Sequence, residues 1–308
     1  MTSCLAIGWG GVSGAQELEP GLYQNVPAGL NAATLGYGFS TGNILLDTSL
    51  PLEDADAQIH SVLLGYVRTL GVGGLAAKLD VQAPVSWGQF EGTVAGVHRT
   101  RSPSGLADPR VRFMVNFVGA PALAGPDFAA YRQGTVVGAS VQVALPLGQY
   151  DPARLVNLGS NRWSFRPELG LSRKQGRFFL ELAGGAWLFT RNGDYFGATT
   201  LEQDPLYFAK ANVIYNFRRR GLWLSVNYGR ATGGETTVGG VAKQDIQTND
   251  RAGITLALPA GRAGSLKLIY TNGLTTRLGA DFDSWSAAYQ RTWGGRRRPP
   301  AARSAEAR

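Results

Sequence analysis

The sequence predicts an all-β protein, an antiparallel transmembrane β-barrel of about twelve strands with short periplasmic turns and long external loops. Three observations lead to this fold: polar and apolar residues alternate with a period of two, the connections alternate between short and long, and the composition disfavours helices. The 308 residues include 42 glycines, 13 Phe, 11 Tyr and 7 Trp. Glycine at about twice its usual share of ~7% weakens helices and suits turns and barrel bends.

The clearest alternation lies between Leu75 and Trp87. Every second residue from Leu75 onwards is apolar, whereas the opposite face carries Lys78, Asp80 and Gln82. Helical spacing does not produce a period of two, so the segment is predicted to be a strand. At ~3.3 Å per residue it is longer than most soluble strands, and it fits a tilted strand that crosses a membrane.

Twelve segments of this kind can be counted, and an even number is usual for single-chain outer-membrane barrels. A soluble β-sandwich or solenoid is the alternative, because alternation alone does not separate a lipid-facing surface from one that packs on a second sheet. Strand length and loop asymmetry favour the barrel, predicted to span residues 31–293. The segments lie near residues 31–46, 57–70, 74–88, 106–118, 134–148, 161–174, 176–190, 205–218, 221–231, 249–259, 264–273 and 281–293.

The connections between these segments supply an independent test. Those after the second, sixth, eighth and tenth segments are short, and those after the third, fifth, seventh, ninth and eleventh are longer. This alternation is typical of outer-membrane barrels and places both termini in the periplasm. Residues 119–133 break the rule. Either a short helix around Asp127–Tyr131 occupies this connection, or the fourth strand is misplaced.

The two ends of the chain are predicted to lie outside the barrel. Residues 1–15 have an apolar core followed by Ser13-Gly14-Ala15, a pattern typical of signal-peptidase sites, and are interpreted as the remnant of a signal peptide. A disordered soluble N-terminus is the alternative. Residues 16–30 are expected to form a periplasmic N-terminal segment. Residues 294–308, rich in Arg, Pro and Ala, are expected to form a disordered basic tail.

The last predicted strand carries Trp285, Tyr289 and Trp293 on one face. A terminal strand that ends in an aromatic residue resembles the signal read by the barrel-assembly machinery. That machinery is therefore an expected partner, together with outer-membrane lipid. Arg291 at an outward position, and the tail that follows, depart from the usual pattern.

The net charge of +8 does not indicate a nucleic-acid-binding protein. The clearest basic excess lies in a turn, Arg218–Arg220, and in the tail, Arg296–Arg298, and no basic helix or aromatic–basic stripe is found. The single cysteine, Cys4, excludes a disulfide framework within the chain. No P-loop or dinucleotide fingerprint occurs, so no cofactor and no metal are expected.

Several stretches resemble a family of bacterial outer-membrane proteins called "putative meta-pathway of phenol degradation". Members of this family are often simply called transporters. The resemblance covers about Pro20 to Trp293, and the part from Gly148 to Trp163 is its most specific portion. The family name derives from gene neighbourhood with aromatic-degradation pathways. The resemblance therefore implies a β-barrel in the cell outer membrane and uptake of aromatic or other hydrophobic compounds. The matching stretches are Glu19–Pro27, Asp108–Arg112 and Pro146–Trp163.

A barrel of about twelve strands can enclose a narrow pore or a ligand pocket, because it lies between eight strands, whose interior fills, and sixteen, which leave a wide channel. In the predicted register the polar face carries seven basic and three acidic residues. These charges either attract anions or pair with one another, for example Arg166 with Glu168 or Lys78 with Asp80. The lumen-lining candidates are Lys78, Asp80, Gln82, Arg110, Arg112, Gln142, Arg166, Glu168, Glu181, Lys210, Asn212, Arg251 and Lys267.

Two aromatic residues leave the register open. If the strand alternates without interruption, Trp187 and Phe189 share a face with Glu181 and form an inward ledge for an aromatic substrate. A register slip near Gly184-Gly185 would instead return them to the lipid-facing girdle, which is the preferred interpretation.

The loop after the fifth segment combines turn-forming residues with polar side chains. It either folds over the mouth of the barrel and gates entry, or it is a compact surface loop held by its own hydrogen bonds. Its candidate residues are Tyr150, Asp151, Arg154 and Arg162.

Enzyme chemistry is not expected. Only His60 and His98 could act as a base, and His60 faces away from Ser61 because neighbours on a strand point to opposite sides. The leading hypothesis is a passive outer-membrane channel for small aromatic or hydrophobic substrates. The alternatives are a barrel with a plugged lumen that is structural or ligand-binding, and an outer-membrane hydrolase.

Overall fold

The computed structural model describes residues 18–45, 52–94, 97–277 and 279–295. The predicted signal-peptide remnant, residues 1–15, and the tail from residue 296 onwards lie outside the described residues. In chain order the elements are β1 (Leu30–Leu45), β2 (Leu52–Val72), β3 (Leu75–Val94), β4 (Val97–Arg101), β5 (Ser104–Leu106), β6 (Arg110–Pro121), α1 (Gly125–Ala130), β7 (Thr135–Ala144), β8 (Ser164–Gln175), β9 (Phe178–Phe189), β10 (Asn192–Tyr195), β11 (Thr199–Gln203), β12 (Leu206–Asn216), β13 (Trp223–Gly233), β14 (Thr236–Val238), β15 (Val241–Ala242), β16 (Gln247–Ala260), β17 (Gly264–Thr276) and β18 (Gly279–Gly294).

Twelve of these strands close into an antiparallel barrel. Around the barrel the order is β1, β2, β3, β6, β7, β8, β9, β12, β13, β16, β17 and β18. The ring closes because β18 pairs with β1 along their whole length, from Leu30 opposite Gly294 to Leu45 opposite Gly279. The predicted twelve-stranded barrel is confirmed, and its strands coincide with the twelve alternating segments of the sequence.

The remaining short strands lie in the long connections. Strands β4 and β5 pair with the C-terminal half of β3. Strands β10, β11, β14 and β15 form a separate four-stranded sheet from the connections after β9 and β13. This small sheet, called the cap sheet below, stands at the end of the barrel that carries the long loops. By the general rule for such barrels, that end is external.

The connection that broke the alternation contains the helix α1. Pro126 lies in its first turn, where a missing N–H costs nothing, and Phe128 is buried. The predicted helix is confirmed, although it begins two residues earlier than expected. Strand β6 is not misplaced: it pairs with β3 and β7 and ends at Pro121.

The outer surface of the barrel is apolar. Leu35, Leu169, Leu182 and Val226 each expose more than half of their side chain, and the residues that alternate with them point inward. No helix in the described part of the chain is long and apolar enough to cross a membrane. The apolar side of each strand therefore meets the surroundings of the barrel, and the polar side forms its interior.

We expect Leu169→Arg to lower the free energy of unfolding from lipid by about 2–4 kcal/mol, the cost of arginine on the lipid-facing side of a barrel near the bilayer centre. Leu169 is 63% exposed in the middle of β8. Leu147→Arg is the matched control, because Leu147 is also 63% exposed but follows β7 in an external loop. Urea titration of folding into liposomes measures both. Equal destabilisation by the two variants would contradict a lipid-facing position for Leu169.

Candidate functional site

The segment before β1 lies inside the barrel. Residues 18–29, called the lumen segment below, were expected in the periplasm as part of residues 16–30. In the structure Glu19, Leu22, Tyr23 and Val26 are at most 4% exposed. The segment enters at the short-turn end, where the Gly29 N–H donates to the Thr69 carbonyl oxygen at 3.0 Å. Inside the barrel, the apolar side chains of the segment and the Glu19 carboxylate are packed against protein groups and shielded from water.

Glu19 completes a set of buried charges on the inner wall. Its Oε2 lies 2.5 Å from Arg112 Nη1, 3.5 Å from Lys210 Nζ and 3.8 Å from Arg166 Nη2. Arg112 also pairs with Asp80 at 2.6 Å. Glu168 pairs with Arg166 at 2.9 Å and with Lys210 at 2.8 Å. These six described residues, called the charge cluster below, are three cations and three carboxylates, one of which is Glu19.

The ionisation of Glu19 follows from this arrangement. Burial alone would raise its pKa, but attraction to Arg112, and then to Lys210 and Arg166, holds the pKa well below its usual range. Glu19 therefore stays charged throughout the pH range in which the cell envelope functions.

Tyr23 fits against two glycines of the wall. Its hydroxyl donates to Glu168 Oε1 at 2.9 Å and lies 3.4 Å from Ser140 Oγ. A Cβ atom added to Gly170 would lie 2.0 Å from Tyr23 Cε2, and one added to Gly138 would lie 2.9 Å from Cδ1. Only glycine leaves room for the ring at Gly170. Burial, and then the charge of Glu168, raises the pKa of the tyrosine hydroxyl.

The wall also binds the backbone of the lumen segment. Lys78 Nζ donates to the carbonyl oxygens of Leu22 at 2.5 Å and of Gln24 at 3.1 Å. Glu181 Oε2 accepts from the Gly21 N–H at 2.7 Å. Because carbonyls face a cation and an N–H faces a carboxylate, the segment is held in one register.

The connection that contains α1 closes over the entry of the segment. Asn25 Nδ2 donates to the Pro121 carbonyl oxygen at 3.1 Å, and the Asn25 N–H donates to Gln133 Oε1 at 3.0 Å. The Ala28 N–H donates to the Leu123 carbonyl oxygen at 2.7 Å. This explains why a short-turn end carries one long connection: it secures the lumen segment.

The predicted lumen-lining residues point into the barrel. Of the suggested pairs, Arg166 and Glu168 are joined, whereas Lys78 and Asp80 have different partners. Arg110 is half-buried at the first position of β6. The buried ones are Lys78, Asp80, Gln82, Arg112, Gln142, Arg166, Glu168, Glu181, Lys210, Asn212, Arg251 and Lys267.

Part of the inner wall has polar atoms that no protein group satisfies. Among the described residues, Gln142 Nε2 and Oε1, Asn212 Oδ1, Ser225 Oγ and Asn227 Oδ1 are buried without a hydrogen-bond partner. Buried polar atoms are normally satisfied by protein or by water.

The loop between β7 and β8 folds across the external mouth. Val156 from this loop packs against Ala57, Ile59, Phe90 and Phe282, which belong to strands on another part of the wall. Asp108 anchors both ends of the loop: it accepts hydrogen bonds from the Gly148 N–H at 2.9 Å, the Ser160 N–H at 2.8 Å and Ser160 Oγ at 2.6 Å. The mouth is thus narrowed by a loop with defined anchors.

The four loop candidates have different surroundings. The Tyr150 hydroxyl donates to the Asp194 carbonyl oxygen at 2.9 Å, which ties the loop to the cap sheet. Asp151 and Arg154 form an exposed pair at 3.6 Å. Arg162 Nη2 donates to Gln203 Oε1, and its guanidinium carbon lies 4.4 Å from the centre of the Phe189 ring. Of the four, Arg162 is the one in contact with an inward-facing aromatic residue.

The preferred interpretation of Trp187 and Phe189 as girdle residues is wrong. Strand β9 pairs with β8 and β12 in one register through Gly184-Gly185, so no slip returns them to the outside. Trp187 is 5% exposed and packs against Leu206 and Phe208. Gly185 pairs with Glu168 of β8, and a Cβ atom added to Gly185 would lie 2.1 Å from the Pro167 carbonyl oxygen. Because only glycine fits at this position, the register of β9 is fixed.

The two histidines do not form a catalytic group. His60 Nδ1 lies 2.7 Å from the Tyr37 hydroxyl and its ring stacks on Trp87, on the outer face. Ser61 lies 2.8 Å from Ser86 Oγ on the inner face. His98 is exposed in β4. Within the described residues, no group of three His, Cys, Asp or Glu side chains could hold a metal ion.

Comparisons with known proteins agree with this architecture. A profile of the family described as "Putative MetA-pathway of phenol degradation" matches residues 23–279. The COG4313 outer membrane channel from Pseudomonas putida F1 is similar with a TM-score of 0.73 and 20% identity, over 89% of this chain and 99% of that one. The β domain of the Bordetella autotransporter BrkA has a TM-score of 0.51 and 12% identity, over 86% and 100%. No curated protein matches the chain. The fold is that of an outer-membrane channel barrel.

Proposed function

We propose that this chain, which belongs to the family described as "Putative MetA-pathway of phenol degradation", takes up small aromatic or hydrophobic compounds by passive diffusion through its barrel in the cell outer membrane. The observation that carries the proposal is the cluster of inward aromatic side chains at the external half of the lumen. Trp187 and Phe208 are buried together, and Phe189 packs beside them. Phe189 is only partly buried, so it gives an aromatic solute a ring on which to stack at the edge of this cluster.

The remaining features of the lumen fit a diffusion pathway. Its inner wall carries uncharged polar side chains, among them Gln142, Asn212 and Asn227. The proposed transport involves no chemical step, because the solute crosses the lumen unchanged.

Swelling of proteoliposomes tests the proposal. Phenyl glucoside is expected to enter faster than methyl glucoside, although it is the larger neutral solute, because only the first stacks on the aromatic cluster. Trp187→Leu should remove this preference. A pore that selects by size alone would admit the smaller methyl glucoside faster. Faster entry of methyl glucoside, or no entry of either solute, would therefore overturn the proposal.

A plugged barrel with a structural or ligand-binding role is the second candidate, and the lumen segment favours it. The segment contacts wall residues of β3, β6, β7, β8, β9 and β12, so it occupies much of the interior. Planar-bilayer recordings separate the two functions. Discrete conductance steps from the intact protein support diffusion, and sustained silence supports the plugged barrel.

Insertion into lipid is proposed to use the barrel-assembly machinery. Trp285, Tyr289 and Trp293 on the last strand are 45–48% exposed on its outer face, which supports their role as the recognised signal. Depletion of that machinery in cells should leave the unfolded chain in the periplasm.

A further inference from the structure

Among the described residues, Arg162 at the external mouth forms no ion pair with a carboxylate, although Asp108 lies near enough to attract it. Nη2 of its guanidinium donates to Gln203, while Nε and Nη1 have no hydrogen-bond partner within the described residues. Asp108, an acidic neighbour, already accepts three hydrogen bonds from the loop backbone and Ser160 and forms no ion pair with it. Burial lowers the pKa of Arg162 to about 10, so it is still charged at neutral pH. A partly buried cation with two unpartnered donors favours an anionic ligand.

The surroundings of Arg162 are aromatic. Its guanidinium lies 4.4 Å from the Phe189 ring centre, and the Phe189 ring is nearly parallel to that of Trp187, at 11° and 6.5 Å between centroids. The indole Nε1 of Trp187 is buried without an acceptor. A ligand that fits here brings both a ring and an acceptor oxygen.

The neighbouring charges limit the ligand to one negative charge. Arg166, the next cation along the wall, is already paired with Glu168 at 2.9 Å and lies 3.8 Å from Glu19. Within the described residues Arg162 forms no ion pair, so it can balance one incoming negative charge. A planar guanidinium fork suits a carboxylate, and one unpaired cation suits a monoanion better than a phosphate dianion.

We propose that Arg162, Phe189 and Trp187 form a binding site for a single-ring aromatic carboxylate, which enters below the cap sheet. The carboxylate accepts hydrogen bonds from Arg162, and the ring lies against Phe189 and Trp187. This inference rests on the proposed function and names its substrate class: the preferred solute is an aromatic acid rather than a neutral phenol.

Calorimetric titration of the full chain in detergent micelles at pH 7 tests the site, with benzoate as the probe. Benzoate should bind at least tenfold more tightly than cyclohexanecarboxylate, which lacks the aromatic ring, or benzyl alcohol, which lacks the charge. Arg162→Gln should weaken benzoate binding at least tenfold, and Arg162→Lys should restore part of it. Phe189→Leu should weaken benzoate but leave cyclohexanecarboxylate unchanged.

Arg191→Gln is the matched control, because Arg191 is exposed at the same rim. Heat-modifiable gel mobility shows that each variant is folded. Equal affinity of folded Arg162→Gln and wild-type protein for benzoate, or equal binding of the three probes, would overturn the site. Since binding is measured without transport, a protein that binds benzoate but passes no solute would contradict the diffusion proposal and leave this site standing.

Discussion

Replacing Glu19 with glutamine should release the lumen segment and raise the single-channel conductance severalfold. The change leaves the three cations of the charge cluster facing two carboxylates in a buried setting. Removing one partner of a buried ion pair costs about 3–5 kcal/mol. Since about 1.4 kcal/mol is a factor of ten, the equilibrium between docked and released segment shifts by roughly two orders of magnitude or more.

Planar-bilayer recordings measure this effect directly. Glu202→Gln is a suitable control, because it removes the same charge from an exposed position in β11 of the cap sheet. The control should conduct like the wild-type protein. An unchanged conductance in Glu19→Gln would mean that the charge cluster does not hold the segment.

A methyl group at Gly170 should displace Tyr23 as effectively as the loss of the carboxylate. The added Cβ of Gly170→Ala would lie 2.0–2.4 Å from three atoms of the ring, and a ring in a packed site cannot yield by a small rotation. Because Gly170 has ordinary strand geometry, the substitution should leave the barrel itself intact.

Hydrogen exchange at the amides of Gly21 and Asn25, which donate to Glu181 and Gln133, measures the displacement. Both amides should lose protection in Gly170→Ala. Gly184→Ala is the control on the adjacent strand, since a Cβ there would approach only the Phe208 carbonyl oxygen, at 3.4 Å. Retained protection in Gly170→Ala, or equal loss in the control, would show that Tyr23 does not pack against Gly170.

The barrel could be predicted because its physical signal is local. A strand with lipid on one side and a polar lumen on the other must alternate, so Leu75 to Trp87 revealed both faces without knowledge of its neighbours. The register of β9 is harder to predict, because Gly184-Gly185 has no side chains to show which face of the strand points inward. The prediction that Trp187 lies in the lipid-facing girdle was therefore wrong.

The lumen segment could not be located in the same way. Glu19 and Tyr23 contact residues between 93 and 191 positions away in the sequence, and no local period encodes such contacts. One signal was present: the inward residues carried seven basic and three acidic groups, an imbalance that calls for a carboxylate from elsewhere. Glu19 supplies it.

The lumen segment, the charge cluster and the site at Arg162 all depend on which side of each strand faces lipid. Quenching by brominated acyl chains measures this most directly. Two single-tryptophan proteins, one retaining Trp285 and the other Trp187, are folded into vesicles of brominated lipid. Trp285, 46% exposed on the outer face, should be strongly quenched, and Trp187, 5% exposed inside, should not. Quenching of Trp187 with protection of Trp285 would contradict the register, and with it the lumen segment, the charge cluster and the site at Arg162.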